Sequence, residues 1–407
     1  MDEFLPKQSR VISFLIFAII ILQNPIWCFW SFPGFNLFDF PNLLSYFLVL
    51  FLFLYLLKIR RSFKITRLFV ISFLCAFFIY VILALFWGFN TSSLFIMLTF
   101  LLPFAFRIEE KGMVIDWLTK YLGIILLISC VAWLVHHYLF ALPLWGIFDG
   151  SAYKGRHYIY GNYFFFLELL ETNNGDVIRY IAEGEKRFYS MFDEPGLIGT
   201  LSTFVLFANR YNWRNKWVLI ISFANLFTFS VAFYLLTFLG WATLRATSFK
   251  RFLTILFIVV SIGALVFILF SNSDIIQKMV FERILSLGDD SLSNRTDYML
   301  VKYLSSDSFR YSTEVLLGIG ATAFEKQGFM GNSWMFFFLK YGLVGLFSVV
   351  GMYLSYLGKF SRDNIILLTL FLLSFLNRPF LFSSWQILLF ACMAGYLKSK
   401  RTYMCLS

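Results

Sequence analysis

The sequence predicts an all-α polytopic membrane protein, a bundle of about twelve spanning helices with two long extracytoplasmic loops that carry short helices of their own. Three observations predict it. Hydrophobic residues make up 60% of the 407 and charged residues only 14%, where a soluble domain carries about 25% charged residues. Several apolar runs exceed the ~18 residues needed to cross ~30 Å of hydrocarbon. The remaining polar residues gather in two stretches, 141–195 and 272–332, and the other connections are short.

The first apolar run, 11–30, follows Lys7 and Arg10 and has no small-residue cleavage site behind it. It reads as a retained span, not a signal peptide. Further spans are expected at 42–57, 68–87, 92–106, 117–139, 196–210, 217–230, 231–247, 252–271, 333–357, 364–377 and 381–397. The chain then divides into N-terminal membrane helices (1–140), a first loop (141–195), central helices (196–271), a second loop (272–332), and C-terminal helices with a cytoplasmic tail (333–407).

Lys and Arg set the orientation. The connections 58–67, 210–216 and 398–401 are strongly basic. They fall on one side if 217–247 is a helical hairpin bending at "TFSVAF" (228–233). A single span there would carry Arg245, Lys250, Arg251 and the basic C-terminus to the opposite side. The hairpin topology puts both termini in the cytoplasm and both long loops outside. The formal charge of +11 is then the topological bias of a cytoplasmic membrane, and no nucleic-acid partner is implied. The cysteines (Cys28, Cys75, Cys130, Cys392, Cys405) show no CxxC spacing, so they predict neither a disulfide framework nor a zinc site.

Chemistry in an extracytoplasmic loop cannot draw on ATP or nucleotide sugars. Its donor must already be exported and attached to a lipid. In the first loop, Lys154, Arg156 and His157 stand among tyrosines that include Tyr153. They suit phosphate and a sugar face, and they equally suit an amphipathic hairpin with tyrosines at headgroup level. The remaining histidines, His136 and His137, stand where this loop begins. The densest cluster is "KRFYSMFDEPG" (186–196), ahead of an apolar run. Pro195 fits a first helical turn that Asp193 or Glu194 can cap. Capping leaves Arg187 without a role, although its guanidinium can hold a diphosphate bidentately.

In the second loop, Arg283, Arg295 and Arg310 are candidate anion binders. Asp289 and Asp290 lack metal-binding spacing, so no metal is expected. Asn332 and Ser333 fit a helix N-cap, with Lys340 beyond them in the same span. Arg378 stands between the last two spans, where it can point into a cavity or snorkel to headgroups.

The stretch "RFYSMFDEPG" resembles the R-x-x-S-x-F-x-E-P-G signature of the O-antigen polymerase and ligase superfamily, through Arg187, Ser190, Phe192, Glu194, Pro195 and Gly196. "LSNRTDYM" (292–299) is similar to that family's polar-Arg segment in the second external loop. "LLGIGATAF" (316–324) followed by "GNSWMFFFLKYGLVGLF" (331–347) is similar to its N-x-x-x…G-x-x-G approach to a late span. Gly331 stands where ligases have His, and Val231 where an Arg often follows the Ser.

The resemblance implies a GT-C-like glycosyltransferase, a Wzy-type polymerase of undecaprenyl-diphosphate-linked oligosaccharides at the bacterial inner membrane. Arg187, Arg295 and Arg378 would hold the donor diphosphate. Glu194 would be base or acceptor-orienting carboxylate, with Asp193 behind it. Arg156, Tyr153, Asn332 and Lys340 would contact substrate. Cofactor and metal are not required. A chain-length regulator and a flippase are the implied protein partners. A ligase with the same donor, a repeat-unit flippase and a membrane scaffold stay open as alternatives.

Overall fold

A computed structural model describes residues 6–24, 31–32, 35–36, 40–60, 66–87, 91–149, 159–170, 188–192, 195–246, 248, 250–251, 253–254, 298–320, 334–358, 360–377 and 383–404. These residues are mostly helical. They form two compact units, each assembled from separated stretches of chain.

The first unit comprises Met1–Gln23, Leu44–Ile115 and Leu285–Ser407. It holds α1 (Lys7–Leu22), most of α2 (Phe40–Arg60), α3 (Arg67–Trp87), α4 (Thr91–Leu101) and the first turns of α5 (Ile108–Tyr138). α2 buries Val49, Leu52 and Leu56 and exposes Leu43, Phe47, Phe51 and Leu54 on the opposite side. α3 likewise exposes Val70, Ile71, Leu74, Phe77 and Phe78. Stripes of large exposed apolar side chains on long helices suit hydrocarbon, where backbone groups are satisfied inside the helix. Among the described residues, three helical segments are long and apolar enough to cross a membrane: Phe40–Arg60, Ile108–Tyr138 and, across a break at Gly342, Met335–Leu357.

Packing inside this unit is aromatic. Tyr353 meets Phe390 at 4.9 Å and Phe371 at 6.0 Å, and Phe371 meets Phe390 at 4.7 Å. Polar side chains stitch the helices, as expected where apolar burial gives little preference between lipid and protein. The Tyr356 hydroxyl donates to the Phe100 carbonyl at 2.6 Å, and Thr99 and Ser384 share a hydrogen bond at 3.1 Å. Arg60 grips Glu110 through both carboxylate oxygens, at 2.5 and 2.7 Å.

The described part of the second loop forms short helices, α9 (Tyr298–Ser305), α10 (Asp307–Arg310) and α11 (Glu314–Leu317). Leu300, Phe309 and Ile319 pack with Leu339 of α12 (Trp334–Leu357) into one small core. The expected span 333–357 is not a continuous helix, because α12 breaks at Gly342 (φ 62°, ψ −171°). The break fits against the loop. A Cβ on Gly342 would collide with the Leu316 carbonyl, and one on Gly318 (φ 83°) with the Lys340 carbonyl. Ile319 N–H donates to the Leu339 carbonyl at 3.1 Å, filling an acceptor that the broken helix leaves open. α13 (Arg362–Asn377) and α14 (Ser384–Met404) complete the unit.

The second unit comprises Asn24–Leu43 and Asp116–Ile284. α6 (Pro195–Ala208) is its centre and is buried over nearly its whole length. α7 (Lys216–Leu226) and α8 (Val231–Arg245) pack on it. The run 217–247 is therefore two helices. Ser230 caps the second by accepting from Phe233 N–H, and Trp213 stacks near Trp241 at 6.3 Å, so the limbs run antiparallel. Asn225 donates to Ser202 at 3.0 Å, Thr203 pairs with Thr237 at 2.9 Å, and Asn209 donates to Thr119 at 2.8 Å. Gly199 lets α8 come close, since a Cβ there would stand 3.0 Å from Phe233 Cβ.

Short helices are the sequence expectation for the first loop, and its described part is instead an antiparallel sheet. β1 (Ser31–Phe32) and β2 (Phe35–Asn36) make a small separate hairpin nearer the N-terminus. In the loop, β3 (Gly146–Asp149) pairs with β4 (Ile159–Asn162), and β4 with β5 (Leu167–Leu170). The β4–β5 turn is fixed by Asn162, whose side chain accepts from Phe164 N–H at 2.8 Å, an Asx turn.

Candidate functional site

The described part of the signature stretch, Phe188–Phe192, is buried throughout. Three hydrogen bonds hold it. Phe188 N–H donates to the Phe227 carbonyl at 3.0 Å, in the bend between α7 and α8. The Ser190 carbonyl accepts from Leu167 N–H of β5 at 2.8 Å. The Ser190 hydroxyl donates to Ser129 of α5 at 3.0 Å. Ser190 has φ 57°, a conformation uncommon outside glycine and asparagine that persists only where surroundings enforce it. Phe188 and Ser190 thus anchor a turn in which Phe192 is buried, and Pro195 opens α6 as its fixed φ favours.

A second constellation lies beside this turn. His136 and His137 close the last turn of α5. Glu168 stands in β5 next to Leu167, which is fully buried, so strand alternation turns Glu168 to the other face. Its carboxylate oxygens lie 3.8 Å from Nε2 of His136 and 3.7 Å from Nε2 of His137. Tyr163 hydrogen-bonds to Glu168. Burial, and then this carboxylate, raise the Tyr163 hydroxyl above its ordinary pKa. The Tyr163 ring stacks on Phe166 at 4.8 Å and lies 4.5 Å from His136. Trp133 touches His137 at 5.0 Å and Phe188 at 5.8 Å, joining the two constellations. Leu142 N–H donates to Nδ1 of His136 at 2.9 Å, so the neutral ring carries its proton on Nε2.

Among the described residues, His136, His137 and Glu168 are the one group of three metal-ligating side chains, with ligand atoms within 4.8 Å of one another. Sequence reasoning missed it. Two adjacent histidines at a helix end are a weak signal, and only the sheet brings Glu168 to them.

Of the expected site residues, Lys340 is described. It is half-buried on the turn of α12 before the Gly342 break, with Nζ 5.5 Å from the Tyr341 ring centre. Glu194, Arg187, Asp193, Arg295, Arg378, Arg156, Tyr153 and Asn332 lie outside the described residues, as does Arg283. Arg310 ends α10 and is exposed. No protein-family model, curated protein or solved structure matches the chain.

Proposed function

We propose that this chain is a glycosyltransferase of about twelve spans and GT-C-like fold. In this reading it polymerises undecaprenyl-diphosphate-linked oligosaccharide units into O-antigen or a related polysaccharide at the outer face of the bacterial inner membrane. The observation that carries the reading is the stretch Arg187–Gly196 in front of a buried helix. The anchoring of Phe188 and Ser190 supports it, because it fixes the motif's Ser inside the protein fold.

The chemistry divides between two needs. A departing diphosphate develops charge that cations stabilise strongly in a dry cavity. Arg187 and Arg295 supply them, with Arg378 as a further contact. The attacking sugar hydroxyl must lose a proton, and Glu194 takes it, with Asp193 behind. Arg156, Tyr153, Asn332 and Lys340 contact the sugars. Because the leaving group is already good, the transfer needs no metal.

The test is deletion of the gene in a strain that makes surface polysaccharide, followed by complementation and gel analysis of chain length. Wild type restores long chains. Arg187→Ala, inserted at normal abundance, leaves single repeats. Normal polymer from Arg187→Ala overturns the reading.

A further inference from the structure

We infer that His136, His137 and Glu168 form a binding site for a divalent transition metal ion of the zinc class, fastening β5 to the end of α5. The inference is independent of the polymerase reading, and the ion takes no part in sugar transfer. It starts from the two imidazole–carboxylate separations, 3.8 and 3.7 Å. Both exceed the ~2.7–3.2 Å of a hydrogen bond. Two ligands of one tetrahedral zinc, with bonds of about 2.0–2.2 Å, stand ~3.3–3.6 Å apart. The carboxylate therefore sits nearer to the spacing of a shared cation than to that of a hydrogen-bonded pair.

The donor set agrees. Two imidazoles and one carboxylate match zinc's preference for nitrogen and oxygen ligands, and leave a fourth tetrahedral position for water. The side chains of His136, His137 and Glu168 are 11%, 2% and 22% exposed, so an ion can enter from the Glu168 side. Tyr163, bonded to Glu168, orients the carboxylate from outside, as partners of metal ligands do.

One contact must give way. A ring nitrogen of His136 that takes the metal removes the acceptor of Leu142 N–H. Coordination through Nδ1 uses that lone pair, and coordination through Nε2 moves the ring proton onto Nδ1. Binding therefore has a local signature besides affinity, the release of the Leu142 amide.

The experiment uses the full chain purified in detergent with a histidine-free tag and stripped with a chelator. Zn²⁺ is titrated against a competing chelator, Co²⁺ is added as a spectroscopic probe, and amide exchange is followed at Leu142. The expected result is one equivalent of Zn²⁺, four-coordinate Co²⁺ absorption, and faster Leu142 exchange on binding. His136→Ala, His137→Ala and Glu168→Gln each weaken binding more than the ~10–100-fold that losing an outer partner costs, and Tyr163→Phe weakens it within that range. His157→Ala binds as wild type does. Glu168→Gln keeps the side-chain shape, and unchanged elution and helical circular dichroism establish that each variant is folded. Folded wild-type protein that takes up no Zn²⁺ overturns the inference. Equal affinity in the three ligand variants also overturns it, as does loss of binding in His157→Ala.

Discussion

Glu110 and Glu168 each stand inside one of the two helical units, and they are held in opposite ways. Glu110 is fully buried. Its two oxygens meet one planar guanidinium at 2.5 and 2.7 Å, and one of them also accepts from Arg107 N–H at 2.8 Å. Both carboxylate oxygens are engaged without any outside group, although the Arg60 Nε is buried with no hydrogen-bond partner. Glu168 faces two imidazoles at distances too long for hydrogen bonds, and Tyr163 hydrogen-bonds to it. The first carboxylate is a finished lock. The second is a group of three candidate ligands in which the carboxylate stands from each imidazole at nearly the spacing of ligands on one cation. Distance separates them, since both are acids beside nitrogen donors.

The largest effect that tests this contrast comes from Glu110→Gln. Removing one partner of a buried ion pair leaves the other uncompensated and costs ~3–5 kcal/mol. Chemical denaturation in detergent should show a loss of that size, and a loss below ~1 kcal/mol would mean the lock is not complete as described. Arg60→Lys keeps the charge but replaces the guanidinium, whose Nη2 reaches both oxygens, so a smaller loss of ~1.5–3 kcal/mol is expected. A lysine variant as stable as wild type would show that an ammonium serves this carboxylate as well as the guanidinium does.

Tyr303 gives an intermediate case, a short bond to Glu314 at 2.7 Å. Tyr303→Phe should cost about 1 kcal/mol near neutral pH. Burial, then the hydrogen bond and charge of Glu314, push the Tyr303 hydroxyl up to about 12. A group whose folded pKa exceeds its unfolded value of about 10 contributes stability that is fully present below pH ~10 and fades as pH climbs toward 12. The gap between wild type and Tyr303→Phe should therefore close over that window, and a gap that widens would reverse the assignment. The smallest effect belongs to Glu168→Gln in metal-free protein. With no short imidazole bond to lose and partial exposure, it should cost under ~1 kcal/mol. A cost equal to that of Glu110→Gln would erase the contrast.

Much of the helical framework is legible in the sequence, because length and apolarity alone define a spanning segment. Expected spans 42–57 and 68–87 correspond to α2 (40–60) and α3 (67–87), and the bend at 228–233 separates α7 from α8. The sheet in the first loop was not legible. Its strands are four residues long, and "FFFLELL" carries no clean alternation. The break in α12 was hidden for another reason. Glycines are common in membrane helices, and nothing local distinguishes Gly342 from Gly351, which stays helical. Only its partner at Gly318 does so. In the signature stretch, Ser190 is visible as a motif position, but its anchoring role depends on Ser129 and Leu167, and that of neighbouring Phe188 on Phe227, in three other parts of the chain. The histidine–glutamate group needed both the helix end and the strand register.

The paired glycines also impose an order in time. Gly318 leaves the ribosome 24 residues ahead of Gly342. At ~5–20 residues per second the delay is about one to five seconds. During that interval residues 316–319 have no backbone to nest against, and the Ile319 amide lacks the Leu339 carbonyl that it meets in the finished protein. The nascent chain must keep this segment in water or against headgroups until α12 emerges. The half-helix before Gly342 completes its packing only when that segment joins it.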